Sequence, residues 1–401
     1  MKNLPLVYSA TFSIFCAAIP FTDLGEAIPN IIMLLNLIIF PFVLKKSDFQ
    51  KLNKHVLFSF VTLITLVLIE TLVFQRWDDF KFISRLILVP VIILLALPIK
   101  EYKFPMIGFL IGAFLLAMWS SINILIFVNQ SGGFDFAVGK DINAILLGDR
   151  PYMGFVYVIA TILGFYLSKS YKSNLKYLFW FTSVFFILII IVISARLSLL
   201  TLFTLLFSSI FYLKEKKIIL LVIGVLILIV PTLLYFNDNV KNRFFMGFKQ
   251  EEISVTKAME MEPRYHIWNC VKILSSDKSV VLSGSGFKQT EEKLINCYKE
   301  KPGFLNNDQR NWFVESRFNT HNQFFNFYLA SGILTPFVFI LFFWNWFWET
   351  KNIFLRFGLF FSVFLFCILE NMLSRQMGAM LFAVIYIFSC FLSQDLEEAS
   401  S

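Results

Sequence analysis

The sequence predicts an all-α, polytopic membrane fold of about twelve transmembrane helices, with one large loop domain between spans nine and ten. Three observations predict it. Of 401 residues, 58% are hydrophobic and only 15% are charged, whereas charged residues make up about a quarter of a soluble domain. The apolar residues fall in runs of about 17–25, long enough to cross roughly 30 Å of hydrocarbon as helices, and they lack the alternation of a membrane barrel. One long polar stretch, 237–322, interrupts this pattern and holds two of the three histidines.

Taken in order, the apolar runs place spans at 5–20, 28–44, 56–74, 83–98, 106–128, 153–168, 178–194, 197–213, 218–236, 324–348, 357–373 and 377–393. The division is therefore 1–236 for spans one to nine, 237–322 for the loop domain, and 323–401 for the last three spans and a short acidic tail from Gln394. The first span resembles a signal peptide, with Lys2 ahead of it and Ala17-Ala18 behind. Another span follows almost at once, which favours a retained first helix.

Orientation comes from the short connections. One set carries Lys45, Lys46, Lys51 and Lys54, then Lys100 and Lys103, Lys169, Lys172 and Lys176, Lys214, Lys216 and Lys217, and finally Lys351 and Arg356. The other set carries only Arg76, Lys81, Lys140, Arg150, Arg196 and Arg375. The positive-inside rule puts the lysine-rich set in the cytoplasm and the loop domain outside, with a smaller outer loop near 129–152. The same asymmetry accounts for the net charge of +8 without a nucleic-acid partner. No repeat of fixed period is visible, which argues against the repeat-built transporters.

No metal-ligand spacing of Cys or His appears, and no metal is expected. Cys16, Cys367 and Cys390 lie in apolar runs as small hydrophobes. Cys270 and Cys297 both lie in the long loop, a candidate pair if that loop faces an oxidising compartment.

Charges at membrane depth are costly and mark candidates for function. Four stand out: Glu70, Arg85, Arg196 and Glu370. Arg196 sits in a very short outer hairpin, Ser194-Ala195-Arg196-Leu197-Ser198, where it either serves a site or snorkels to lipid phosphate. Structural ion pairing is the expected role of both glutamates.

In the loop, Glu262-Pro263-Arg264-Tyr265-His266-Ile267-Trp268 opens a helix, with Pro263 at its first position and an apolar face through Ile267, Trp268, Val271 and Leu274. Arg264 in the first turn adds paired donors where a helix start already favours an anion. A phosphate or diphosphate suits it; the alternative is a surface arginine bonded to Glu260 or Glu262. The run Ser279–Phe287 reads as β-like and ends in two glycines, which fits either close backbone approach to a ligand or an ordinary turn. Thr320 with Gln323 matches a capping box, making His321 the first residue of the next span. At that position the ring is expected to stay neutral and able to serve as a general base; the alternative is a structural histidine.

In this order, Arg196 in its hairpin, the Arg264–Trp268 motif, Ser283-Gly284-Ser285-Gly286-Phe287, and His321-Asn322-Gln323-Phe324-Phe325 leading into Leu329–Leu334 resemble the O-antigen ligase and polymerase superfamily. The resemblance covers about Phe179 to Phe343. It implies a glycosyltransferase of the bacterial inner membrane that takes a glycan from undecaprenyl diphosphate on the periplasmic face. A ligase passes the glycan to the lipid A core, and a polymerase passes it to another lipid-linked repeat. By position, Arg196 and Arg264 would hold the donor diphosphate and His321 would act on the acceptor hydroxyl or the leaving diphosphate. Arg85, Arg150, His266 and Asn322 are further candidate substrate contacts. No cofactor, metal or nucleotide sugar is implied. The chain departs from the family pattern at Asp149–Gly154 and lacks the proline that commonly precedes the glycine-rich stretch.

The single dominant loop favours a ligase over a polymerase. A lipid-linked glycan flippase or other transporter would instead place polar residues along a central path, and a non-catalytic scaffold would need none of these groups.

Overall fold

The computed structural model describes residues 3–131, 143, 145–171, 173–212, 262–300 and 307–391. The span expected at 218–236, the first part of the loop domain and the tail from 394 lie outside them. All regular structure among the described residues is helical.

The first eight helices are α1 (Leu4–Ala18), α2 (Ala27–Val43), α3 (Lys54–Val73), α4 (Phe80–Ala96), α5 (Lys103–Ser131), α6 (Arg150–Ser170), α7 (Leu175–Val192) and α8 (Arg196–Tyr212). Each coincides with an apolar run of the sequence. Five helical stretches are long and apolar enough to cross a membrane: Leu4–Phe21, Lys54–Val73, Lys103–Gln130, Arg150–Ser170 and Leu175–Val192. Exposed Leu34, Phe58, Leu125, Phe181 and Phe211 give several helices an apolar outer face, as lipid contact requires.

The loop segment forms α9 (Pro263–Leu274), α10 (Lys278–Ser283), α11 (Phe287–Glu300) and α12 (Asn307–Ser316). Ile267, Cys270, Val271, Val280, Leu294, Tyr298 and Phe313 pack together as an apolar cluster distinct from the main core. Pro263 opens α9 as its missing N–H allows. The run at Ser279–Leu282, expected to be β-like, belongs to the α10 helix instead. Asp277 accepts a bond from Ser279 N–H at its start, and an N-cap of this kind favours a helical turn over an extended run.

Cys270 and Cys297 are joined by a disulfide, with Cα atoms 5.9 Å apart and a sequence separation of 27. It ties α9 to α11. Chain-entropy arithmetic for a loop of that length gives a stabilisation of about 3–4 kcal/mol. Cys270→Ser is therefore expected to destabilise the loop helices while leaving the bundle inserted, read as faster proteolysis within 263–316 than within the spans.

The tenth apolar run does not form one helix. It breaks at Gly332 (φ +70) into α13 (Gln323–Ser331) and α14 (Leu334–Thr350). The break has a partner: a Cβ on Gly332 would lie 2.4 Å from Leu282 O, and one on Gly284 (φ +64) would lie 2.2 Å from Ala330 C. The ends of α10 and α13 thus interlock backbone to backbone. Ser285 N–H donates to Leu329 O, Gly286 N–H to Ala330 O, and Ile333 N–H to Val281 O. Arg76 donates to the carbonyls of Ser283, Gly284 and Ala330. Asp79 accepts the first free N–H groups of α11, from Phe287 and Lys288. In the structure the glycine-rich stretch lets backbone approach backbone, in the docking of α10 on α13.

Gly284→Ala combines the backbone strain of a positive φ with a direct overlap and is expected to cost about 3 kcal/mol or more. A lower melting temperature checks it; an unchanged one would mean the α10–α13 contact is dispensable.

The bundle closes with α15 (Phe354–Leu369) and α16 (Gln376–Cys390). Phe339, Phe342, Phe343 and Trp346 of α14 pack with Phe360 of α15 and Phe382 of α16. Helix α13 serves both cores: Phe327 packs in the bundle and Leu329 in the loop cluster. The residues that precede α13 therefore sit where the two meet.

Candidate functional site

The connection from α15 to α16, Glu370 to Arg375, is the floor of the candidate site. It is held from several helices. Tyr152 of α6 donates to Asn371 O at 3.0 Å. Leu373 N–H donates to the Gln323 side chain at 2.8 Å, and Asn326 Nδ2 to Ser374 Oγ at 3.3 Å. Arg85 of α4 donates to Ser374 O, and Arg375 pairs with Asp149. A short connection with this many partners is a rigid support.

Against this floor lies the turn before α13. The helix is capped by Asn322, whose side chain accepts from Phe325 N–H at 3.0 Å. The capping box expected at Thr320 and Gln323 is not formed, because Gln323 turns to Leu373 and Thr320 to Asn371 Oδ1. Asn371 Oδ1 also accepts from Asn322 N–H at 2.8 Å. Local spacing allowed the box, and the α15–α16 connection outcompeted it. His321 accordingly precedes the helix instead of starting it, in the left-handed region at φ +42. Its N–H is held by Asn319 Oδ1 at 2.9 Å. A non-glycine residue held there is strained, and such strain clusters at functional sites.

Among the described residues the His321 ring makes one close polar contact, Nδ1 to Glu370 Oε2 at 2.9 Å. The other carboxylate oxygen, Oε1, accepts from Arg264 Nη2 at 2.8 Å. Glu370, buried between a guanidinium and an imidazole, accepts from both as a carboxylate. It places a proton on Nδ1 and leaves Nε2 as the ring nitrogen available for proton exchange.

Arg264 makes two further bonds, Nη1 to Glu262 Oε1 at 3.1 Å and Nε to Leu369 O at 3.3 Å. The bond to Glu262 was the alternative the sequence allowed; Glu370 is the partner that local spacing did not reveal. Glu262 Oε2 in turn meets Arg196 Nη1 at 3.4 Å. Arg196 stands at the start of α8, just after Ser194 in the left-handed region (φ +48). One continuous series, Arg196, Glu262, Arg264, Glu370, His321, thus joins three side chains far apart in sequence through two carboxylates. It gathers two guanidinium groups beside a histidine whose ring is oriented by an acid.

The remaining candidates do not join it. His266 is turned into the loop cluster, 1% exposed and edge-on to Phe313. The helical period of α9 puts positions 266, 267 and 270 inward. Asn322 is used as the helix cap. Among the described residues, neither Arg85 nor Arg150 bonds to the series; Arg85 supports the floor from Ser374, and Arg150 begins α6 beside Asp149. Glu370 is the residue whose role here exceeds its expected ion pairing. Its signal was a carboxylate at the end of an apolar run, which reported its cost but not its partners.

Residues 181–340 match a family described as O-antigen ligase. No curated protein matches the chain.

Proposed function

We propose a specific reaction, from the match of residues 181–340 to the O-antigen ligase family, whose members are glycosyltransferase-like enzymes. The protein moves a glycan from undecaprenyl diphosphate to an acceptor hydroxyl, the lipid A core, at the periplasmic face of the bacterial inner membrane. The topology of this reading is twelve spans with the loop domain outside, as the lysine asymmetry of the connections supports.

The observation that carries the reading is the bonded series from Arg196 to His321. The acceptor oxygen attacks the anomeric carbon as the bond from that carbon to the diphosphate oxygen breaks. The hydroxyl proton passes to His321 Nε2, and Glu370 stabilises the resulting imidazolium. The electron pair leaves on the diphosphate, where Arg264 and Arg196 meet the developing charge. Attack opposite the leaving group inverts the anomeric centre. Both arginines lie in segments that adjoin apolar helices, so a diphosphate could meet them while its polyprenyl tail stays in the bilayer.

Transfer from a defined polyprenyl-diphosphate glycan by the purified chain tests this directly. Product on a lipid A core is the expected result. Product only on a second lipid-linked repeat would make the protein a polymerase, and an intact donor with both acceptors would overturn the transferase reading.

A further inference from the structure

Glu262 occupies the position between the two guanidinium groups, and its carboxylate spans them, one oxygen at 3.4 Å from Arg196 and the other at 3.1 Å from Arg264. It is the N-cap residue of α9, where an acidic side chain ordinarily accepts from the first free N–H groups of its own helix. Here it makes no such cap bond. The side chain faces the arginines instead.

We propose that Glu262 is an internal competitor for the donor-diphosphate site, held by the same two arginines that bind the diphosphate and displaced by it. The inference rests on the diphosphate reading given above and deepens it.

The two carboxylates of the series differ in their freedom to move. Glu370 is 6% exposed and braced by a buried floor, whereas Glu262 is 35% exposed, between arginines that are 39% and 29% exposed. Ion pairs this open to solvent are weak, so Glu262 can leave at little cost while Glu370 stays with His321. A diphosphate brings more charge and more acceptor oxygens to the same fork of donors and outcompetes a single carboxylate. A ligand with one phosphate must displace the same carboxylate, so the competitor lowers the affinity of both by one factor. After transfer the same carboxylate returns to the arginines and helps release the lipid diphosphate. Glu262 is thus a positioning residue that tunes donor affinity and product release and touches no reacting atom.

The test measures binding of farnesyl diphosphate and farnesyl monophosphate to the full chain in nanodiscs. Glu262→Gln keeps the shape and removes the charge. It is expected to bind the diphosphate about threefold tighter, and the monophosphate by a similar factor, since each displaces the same carboxylate. In turnover it should lower the donor KM and also lower kcat, because product leaves slowly. Glu262→Asp, with its charge kept and its reach shortened, should lie between. Weaker or unchanged diphosphate binding in Glu262→Gln overturns the inference, and would mean the carboxylate only braces the arginines. Arg196→Ala and Arg264→Ala serve as the control on the site itself. If both bind farnesyl diphosphate as the native chain does, the diphosphate site lies elsewhere and the underlying reading fails first.

Discussion

His321→Ala lowers glycan transfer by about 10²–10⁴-fold, the usual contribution of a positioned general base, with little change in donor binding. The structural argument is the carboxylate beneath the ring. An anionic Glu370 accepts from Nδ1, directs Nε2 toward the reacting hydroxyl and stabilises the charged ring that forms. Glu370→Gln keeps the size but removes that charge, so it is expected to lose about 10²-fold or more in kcat. The double variant should fall by less than the product of the two single losses, because residues that act through one another are not additive. A fully multiplicative loss would separate Glu370 from His321 and assign it to Arg264 alone. Full activity of His321→Ala in the transfer assay would remove the catalytic role.

Arg264→Ala produces the second large effect, and it has two parts. One is loss of charge compensation at the leaving diphosphate, of order 10²–10³-fold in rate. The other is structural, because Glu370 is buried and Arg264 is its cationic partner. Breaking a fully buried pair costs about 3–5 kcal/mol. Arg264 is 29% exposed and His321 remains beside the carboxylate, so about 2 kcal/mol is the expected loss here. Arg264→Lys separates the parts. It restores a cation beside Glu370 and much of the stability, but not the forked donors that also reach Glu262 and Leu369 O, so transfer should recover only in part. Measuring kcat, donor KM and melting temperature on both variants checks this. Equal activity of the lysine variant and the native chain would reduce Arg264 to a point charge.

The helices were legible because their cause is local. A run such as Leu175–Val192 has no alternative to an α-helix in a solvent that cannot satisfy backbone groups, and every apolar run within the described residues but the tenth forms one. The same local logic failed at the tenth run. Hydropathy does not register that Gly332 lies against Leu282, fifty residues earlier, and it is this contact that separates α13 from α14. The capping box at Thr320 failed for the same reason, since Asn371 and Leu373 bind the two side chains that would have formed it.

The site divides along similar lines. Arg196, Arg264 and His321 could be singled out because a charge in an apolar setting, a cation in a first turn and a histidine near a helix start each carry a cost or a bias that spacing reveals. The carboxylates that join them could not be assigned in this way. Glu262 was one of two adjacent candidates for Arg264, and Glu370 follows His321 by 49 positions, far beyond any helical period.

The sequence by itself determined that this is an all-helical chain with helices apolar enough to cross a membrane, and which cations and which histidine deserved notice, because hydropathy and first-turn electrostatics act over a few residues. Only the tertiary structure decided which acid orients His321, that Glu262 stands between the arginines, and that the glycines serve helix docking. Those outcomes depend on which segments meet across the fold, and pairings at that distance leave no periodic trace along the chain.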